Sequence, residues 1–144
     1  MTNLTVRSAG ELAAKMGITV SEWTAERTAG SMPVEGNRQP YGLLHGGASA
    51  VLAETLASVH AALLAPDGKV PVGTDLNCTH HRAMTSGTVH GVSTVAHAGR
   101  SMASFEIVLT DGAGRRTCTS RLSCAFIDAR GPVPPLQGTN RSRD

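Results

Sequence analysis

A short loop and the start of a long apolar segment follow one another in Gln39-Pro-Tyr-Gly-Leu-Leu-His-Gly-Gly-Ala-Ser-Ala-Val-Leu-Ala-Glu-Thr-Leu-Ala-Ser58. From His45 to about Pro66 the segment carries a single charged side chain, Glu54. A helix that is apolar on every face is normally buried, and a carboxylate inside it is costly unless the protein uses it. The sequence therefore predicts a buried central helix, and the buried acid of Glu54 is the candidate for the chemistry.

Length and composition predict one globular domain. Of the 144 residues, 40% are hydrophobic and 17% are charged, which is enough to bury an ordinary core. We place this domain at residues 1–130 and expect the stretch 131–144, which contains three prolines and ends in charged residues, to be a flexible tail. The net charge of +2 is too small to predict nucleic acid as a partner.

The sequence favours a cytoplasmic protein without a metal site. Glycines and polar residues, Glu54 among them, interrupt the apolar segment and argue against a membrane span. Residues 1–9 lack the apolar core of a signal peptide. The three cysteines, Cys78, Cys118 and Cys124, have no metal-ligand spacing, and we interpret them as buried reduced thiols.

Strands are grouped around the central helix rather than alternating with helices. A first helix at Ala9–Met16 is predicted from the capping-box spacing of Ser8 and Glu11, and Gly17 ends it. Alternating apolar and polar residues predict strands at 18–26, 27–33, 70–80, 88–97, 101–110 and 116–127. Residues 111–115 form a hairpin loop. This order predicts an α+β class with an antiparallel sheet wrapped around one long helix.

The start of the central helix is a candidate binding site for a carbonyl oxygen. Helix N-termini present unpaired N–H groups and the positive end of the dipole, and Gly46 and Gly47 would leave these groups bare. The same glycines could instead serve only a tight turn into the helix. Gly46 and Glu54 are roughly 12 Å apart along a helix, too far to touch one reacting carbonyl from the same chain. A site that uses both therefore requires a homodimer, which the small residues along the helix also favour.

Three further residues surround this candidate site. Gln39 and His45 lie on the loop before the helix and would hydrogen-bond a substrate carbonyl or water. Ser58 follows Glu54 by one helical turn on the same face, where its hydroxyl can bond the carboxylate or a water. A carboxylate beside an electrophile can act as nucleophile or as general base. The sequence contains no nucleophile elbow, phosphate loop or dinucleotide fingerprint.

The chain resembles the hotdog-fold acyl-CoA thioesterases. It is most similar to the branch that contains Arthrobacter-type 4-hydroxybenzoyl-CoA thioesterase, the phenylacetate-pathway thioesterases and 1,4-dihydroxy-2-naphthoyl-CoA thioesterase. The similarity extends over residues 18–128. The residues that carry it are Gln39 to Ala48 with Glu54 and Ser58 and, more weakly, Asn77–Arg82, His97–Ser101 and Thr119–Ser123.

This resemblance implies a dimer of hotdog subunits, paired further into a tetramer, with active sites across the dimer interface. By position, Glu54 is the catalytic carboxylate and the Gly46 N–H polarises the thioester carbonyl. Gln39 and His45 would assist at that carbonyl and at the leaving thiolate, and Ser58 would hold the hydrolytic water. No metal or redox cofactor is required, because coenzyme A is part of the substrate.

The resemblance also implies a site for the nucleotide phosphates of coenzyme A. Five residues would offer donors, positive charge or close backbone approach: His80, Arg82, Gly99, Arg100 and Ser101. The same residues could instead be solvated strand ends and turns. The role of the neighbouring His81 stays open.

The favoured function is hydrolysis of an aromatic or medium-sized acyl-CoA thioester. One alternative is an acyl-CoA-binding module without catalysis, although a binder has no need of a buried acid. Another is a hotdog hydratase or dehydratase, but the helix-start motif of those enzymes, with a His and an Asp or Asn, is absent from the sequence. The sequence does not identify the acyl group.

Overall fold

The computed structural model describes residues 9–133. These residues form, in order, α1 (Glu11–Met16), β1 (Thr19–Trp23), β2 (Arg27–Pro33), α2 (Gly46–Leu64), β3 (Lys69–His80), β4 (Thr88–Ala98), β5 (Met102–Thr110) and β6 (Arg116–Asp128). The bounds agree closely with the predicted elements, except that β1 ends at Trp23 rather than at residue 26. Ser8 and all but the first residues of the predicted tail lie outside the described residues.

The start of α1 differs from the prediction. The helix begins at Glu11 rather than Ala9, and its N-cap is Gly10, which makes no side-chain cap hydrogen bond. The predicted N-cap, Ser8, lies outside the described residues, and the N-cap that the structure shows is Gly10. Gly10 adopts φ 99°, a conformation open to glycine that turns the chain directly into the helix. Gly17 ends α1 in the left-handed conformation, as predicted.

All six strands form one antiparallel sheet in the order β1-β2-β4-β5-β6-β3. The sheet wraps around α2, which contacts every strand. The predicted hairpin loop joins β5 to β6. There the Asp111 carboxylate accepts hydrogen bonds from the N–H groups of Ala113 and Arg115 and pairs with the Arg115 guanidinium. The predicted α+β class and the sheet wrapped around one long helix are confirmed.

Leu56 seats α2 on the sheet. Its fully buried side chain lies over Gly30 of β2 and Gly91 of β4, which face each other in the strand register. A Cβ on Gly30 would lie 2.8 Å from Leu56 Cδ2, and a Cβ on Gly91 would lie 2.6 Å from Leu56 Cδ1. The two glycines therefore form a hollow that accepts Leu56 and fixes the rotation of α2 about its axis.

His60 anchors the second half of α2 in the core. It is completely buried, with Nε2 2.9 Å from the Ala25 carbonyl oxygen and Nδ1 3.1 Å from Ser93 Oγ. Because a carbonyl only accepts, Nε2 carries the proton and Nδ1 accepts from the Ser93 hydroxyl. The imidazole also packs against Phe105, with ring centroids 5.0 Å apart. These contacts give His60 a structural role.

The outer face of α2 is left uncovered by residues 9–133. Ala53 and Ala57 are buried under the sheet, whereas Glu54 is exposed. The prediction of a helix buried on every face, with a buried acid, is therefore wrong for the single chain, because one sheet covers only one side of a helix. Among the described residues, α2 is long and apolar enough to cross a membrane, but half of that apolar segment is buried inside the protein. Packing against the sheet accounts for the apolar residues of the buried half.

We expect Gly91→Ala to destabilise the fold, because the added methyl group would lie 2.6 Å from Leu56 Cδ1 and 2.7 Å from Leu109 Cδ2. Overpacking of this kind costs about 1–3 kcal/mol, which urea unfolding followed by circular dichroism will measure. Gly112→Ala is the matched control, since a Cβ there meets nothing within 4 Å. Equal unfolding midpoints for the two variants would contradict the packing described here.

Candidate active site

His45 caps the first turn of α2. It has the extended backbone of an N-cap residue, and its Nδ1 accepts a hydrogen bond from the Gly47 N–H at 2.8 Å. Its carbonyl oxygen accepts from the N–H groups of Ala48 and Ser49. Because Nδ1 is an acceptor, the neutral imidazole carries its proton on Nε2. The Gly46 N–H donates to no group in the described part of the chain, which leaves one bare donor at the positive end of the helix.

Gln39 shapes the loop in front of this helix end. Its Oε1 accepts hydrogen bonds from the N–H groups of Tyr41 and Leu43. Its backbone N–H donates to the Leu43 carbonyl at 2.7 Å. The side-chain NH₂ group is the part of Gln39 left for a ligand, and the predicted role of this residue at a substrate stays a prediction.

His80 lies against the bare helix end. A Cβ on Gly46 would be 3.0 Å from His80 Nε2, so glycine is what allows the ring to come this close. Gly46, His80, Gln39 and Arg82 line a cavity of about 340 Å³, which we call the helix-start cavity. His80 was predicted to contact a nucleotide phosphate; the structure places it beside the candidate carbonyl-binding donor.

Glu54 lines a second cavity, on the uncovered face of α2, which we call the Glu54 groove. Its volume is about 510 Å³. The other lining residues are Ala9, Leu12 and Ala13 around α1, Ala50, Val51, Thr55, Ser58, Val59 and Ala62 of α2, and Pro71 and Leu76 of β3. Glu54 and Ser58 thus share one groove, as their spacing predicts. Glu54 Oε1 would lie 3.6 Å from a Cβ on Gly73, next to the register shift between Gly73 and Asp75 of β3.

Among the described residues, the two cavities share no lining residue. The helix-start cavity lies at the His80 end of β3, and Glu54 lies against Gly73, farther back along the same strand. The structure therefore does not bring Gly46 and Glu54 to one point within a chain, in keeping with their separation of about 12 Å along the helix. Chemistry that uses both needs a second copy of the chain.

The predicted phosphate-binding residues fall into two groups. Gly99–Ser101 form the turn between β4 and β5, where the Ser101 carbonyl accepts from the Phe126 N–H. The strand register places this turn at the end of the sheet where β3 begins. His80 and Arg82 lie where β3 ends, roughly 25 Å away at the rise of a strand. One chain does not bring these residues together, and their role stays a prediction.

The cysteines are free thiols. Burial raises the pKa of Cys118 to about 12, with Cys78 contributing. Burial also raises the pKa of Cys124 to about 11, and the negative charge of Glu54 adds to this shift. Both thiols are therefore protonated at neutral pH and are poor nucleophiles, and the prediction of buried reduced thiols is confirmed for these two. Residues 9–133 hold no group of three or more metal-ligating side chains.

Sequence reasoning missed residues that reach the cavities from distant elements. Leu12 of α1 lines the Glu54 groove. Gly73 of β3 lies beside the Glu54 carboxylate. Thr117 of β6 lines the helix-start cavity, and its buried hydroxyl has no partner in the described part of the chain. These residues become neighbours only through tertiary packing. The one signal in the sequence was Gly73, because a glycine inside a strand often marks a bulge or a close approach.

Comparisons with known proteins agree on one family. Residues 41–118 match the thioesterase superfamily model. The chain is 45% identical over 125 residues to the proofreading thioesterase EntH of Cronobacter sakazakii, covering 86% of this chain and 91% of that protein. The proofreading thioesterase EntH of Klebsiella pneumoniae is 46% identical over 125 residues, which also cover 86% of this chain and 91% of that protein.

Solved structures give the same result for the fold. A mutant of thioesterase PA1618 from Pseudomonas aeruginosa superposes with a TM-score of 0.82 at 34% identity, covering 88% of this chain and 92% of that one. Thioesterase HI1161 from Haemophilus influenzae gives a TM-score of 0.80 at 33% identity, covering 84% and 85%. With the sheet and helix described above, these matches confirm the hotdog fold.

We expect His45→Ala to lower the free energy of unfolding by about 1 kcal/mol, because the Gly47 N–H loses its acceptor. His45→Asn keeps an acceptor at the N-cap and should retain most of the stability. Urea unfolding will compare the two variants, with His90→Ala on the exposed surface of β4 as the control. A His45→Ala variant as stable as the unaltered protein would show that the imidazole cap contributes nothing.

Proposed function

The chain belongs to the thioesterase superfamily, and on this premise we propose that it hydrolyses an acyl-CoA thioester to the free acid and coenzyme A. One observation carries the proposal. Among the described residues that line the groove, Glu54 is the single charged side chain, and it lies on the same helix whose start presents the bare N–H of Gly46. A carboxylate and a donor for a developing oxyanion are the two groups that thioester hydrolysis needs.

The helix start polarises the thioester. The Gly46 N–H donates a hydrogen bond to the carbonyl oxygen, and the positive end of the α2 dipole strengthens that bond. When the carbonyl carbon is attacked, negative charge develops on this oxygen, and a fixed donor stabilises it. The side-chain NH₂ of Gln39 and the Nε2–H of His45 assist at the carbonyl and at the leaving thiolate.

Glu54 supplies the attack in one of two ways. As a nucleophile, its carboxylate bonds to the carbonyl carbon, the carbon–sulfur bond breaks, and coenzyme A leaves as a thiolate that takes up a proton. Water then hydrolyses the acyl-glutamyl anhydride. As a general base, Glu54 takes a proton from a water whose oxygen attacks the same carbon. The carbon–sulfur bond then breaks, the free acid forms, and the proton passes from Glu54 to the departing thiolate. Ser58, in the same groove, holds the water in either case.

The complete site forms between two subunits. β3 is a 12-residue strand at one edge of the sheet, and a long edge of this kind is a template for pairing with another strand. Antiparallel pairing of two β3 strands about a twofold axis sets the His80 end of one subunit beside the Gly73 region of the other. Gly46 of one chain then approaches Glu54 of the partner subunit.

The same pairing supports a shared coenzyme A site. In one subunit His80 is the last residue of β3 and Arg82 follows two residues later. The joined sheet places the partner subunit's Arg100 turn at that same end. Cationic side chains from both subunits therefore face one side of the substrate, where they bind its phosphates.

The remaining parts of the proposal come from the family resemblance and from the thiols. The acyl group is aromatic or medium-sized, as in the branch that the sequence resembles. Two dimers pair into a tetramer, as that family does. The reaction takes place in the cytoplasm, where the three free cysteines stay reduced.

Glu54→Gln should abolish most turnover while preserving the fold, because the amide neither attacks nor accepts the proton. We expect a loss of roughly 10²–10⁴-fold in thiol release from benzoyl-CoA, measured with Ellman's reagent. Glu106→Gln, an exposed acid of β5, is the matched control. Near-normal hydrolysis by Glu54→Gln would sink the mechanism. A thermal shift of the unaltered protein by benzoyl-CoA without thiol release would instead favour a non-catalytic binder.

Mixed dimers test the shared site. Glu54→Gln and Gly46→Val each remove a different half, the latter because a side chain at Gly46 collides with His80. After the two variants are unfolded together and refolded, half of the dimers should be mixed and carry one intact site, restoring about a quarter of full activity. Each variant refolded alone should stay inactive. If both halves of a site came from the same chain, mixing would restore nothing.

A further inference from the structure

Asn37 ties the loop before α2 to the rest of the fold. We propose that it positions the donors of the active site: it fixes the direction of the Gly46 N–H and the place of the Gln39 side-chain amide. This inference rests on the proposed function, since it takes these two groups as the donors that act at the thioester carbonyl. Asn37 is not among the described residues that line either cavity, so it acts through other residues.

The side chain of Asn37 is anchored to two other elements. Its Nδ2 donates a hydrogen bond to the carbonyl oxygen of Met16, at the end of α1, and another to that of Pro33, the last residue of β2, each at 2.8 Å. The ends of these elements lie against each other, because a Cβ on Gly17 would be 2.9 Å from Pro33 Cγ. Both amide hydrogens are therefore used, and they hold Asn37 at the junction of α1 and β2.

The backbone of Asn37 holds His45 at the start of α2. Its carbonyl oxygen accepts a hydrogen bond from the His45 N–H at 2.9 Å. The His45 carbonyl in turn accepts from the N–H groups of Ala48 and Ser49. That carbonyl and the Gly46 N–H belong to one peptide group, and in a trans peptide they point in opposite directions. Because His45 is held from both sides, the direction of the Gly46 donor is fixed.

The loop from Asn37 to His45 is a narrow hairpin with Asn37 at its base. Backbone hydrogen bonds and a β-bridge join its two arms at three facing pairs: Asn37 with His45, Arg38 with Leu44, and Gln39 with Leu43. Gln39 lies two residues from Asn37, roughly 7 Å along an extended chain. A displacement of the base is therefore carried to the Gln39 side chain as well as to His45.

A second contact holds the opposite arm of this hairpin. The Leu44 N–H donates to the Met84 carbonyl at 2.8 Å. Without the Asn37 amide the hairpin would stay attached there but could turn about that contact. A shift of about 1 Å in a group that acts on the reacting atoms can lower the rate roughly 10²-fold. Loss of the Asn37 side chain should therefore lower turnover in a chain that still folds.

The test compares Asn37→Ala with Asp111→Ala in thiol release from benzoyl-CoA, with circular dichroism to verify folding. Asp111 is the matched control, because its carboxylate likewise holds two backbone N–H groups of a loop and it is not among the described residues that line either cavity. Asn37→Ala should lower kcat roughly 10–100-fold. KM should change much less, since the displaced donors act mainly in the transition state. Asp111→Ala should leave both constants unchanged.

Asn37→Asp gives a readout that a loss of stability alone would not change. The two side chains have the same shape, but an ionised carboxylate cannot donate to the Met16 and Pro33 carbonyls, whereas a protonated carboxyl donates one hydrogen bond. The kcat of this variant per folded molecule, divided by that of the unaltered protein at the same pH, should therefore rise severalfold as the pH falls from about 8 to about 5.

Two results would overturn the inference. One is a kcat for Asn37→Ala that equals that of the unaltered protein or falls no further than that of Asp111→Ala. The other is a ratio for folded Asn37→Asp that does not change with pH, and this measurement decides the matter if Asn37→Ala does not fold. In either case hydrolysis by the unaltered protein leaves the proposed function standing. If the unaltered protein releases no thiol from any acyl-CoA, the proposed function and this inference fail together.

Discussion

The placement of Leu56 in the hollow between Gly30 and Gly91 is the contact on which the site depends. Consecutive residues of a helix are separated by about 100°. Glu54 and Ser58 lie two residues to either side of Leu56, so both point to the face opposite the hollow. A rotation of α2 by one residue would turn the acid toward the sheet. Glycines that would weaken an isolated strand therefore determine which side of the helix carries Glu54 and Ser58.

Three features of the proposed site lie on the side of the molecule that the sheet does not cover. The outer face of α2 bears Glu54, and β3 lies at an edge of the sheet. Within residues 9–133 that edge has no pairing strand and the N–H at the helix start has no acceptor. Each feature alone is common on protein surfaces. Together, and on the same strand and helix, they support the proposal that each chain supplies two different halves of a shared site. His45 likewise has two roles in the proposed site. Its Nδ1 accepts the hydrogen bond that caps the helix, and its Nε2–H remains available to a ligand.

Much of this could be predicted from the sequence, because local signals specify it. Alternation and turn residues predicted the strands closely, and the glycines after His45 predicted the helix start. Contacts between distant segments could not be predicted in the same way. Gly30 and Gly91 become a hollow only when their strands are paired in register, and Leu12 reaches the Glu54 groove only because α1 packs against α2. The exposure of Glu54 was mispredicted for a related reason: an apolar helix indicates burial without indicating whether the same chain or a partner supplies the cover.

Because Glu54 is exposed in the single chain, the chain can fold before the proposed active site forms. Burying an unpaired carboxylate is costly, but in the single chain water solvates Glu54, so the fold does not carry this cost. In the proposed dimer the partner subunit and the substrate cover the groove and exclude that water. The electrostatic interactions of the acid and of the Gly46 N–H then strengthen as the local dielectric falls. In the proposed mechanism, association of two subunits would therefore supply the desolvation that makes Glu54 effective, and a reactive acid could lie on a helix whose other residues are those of a core.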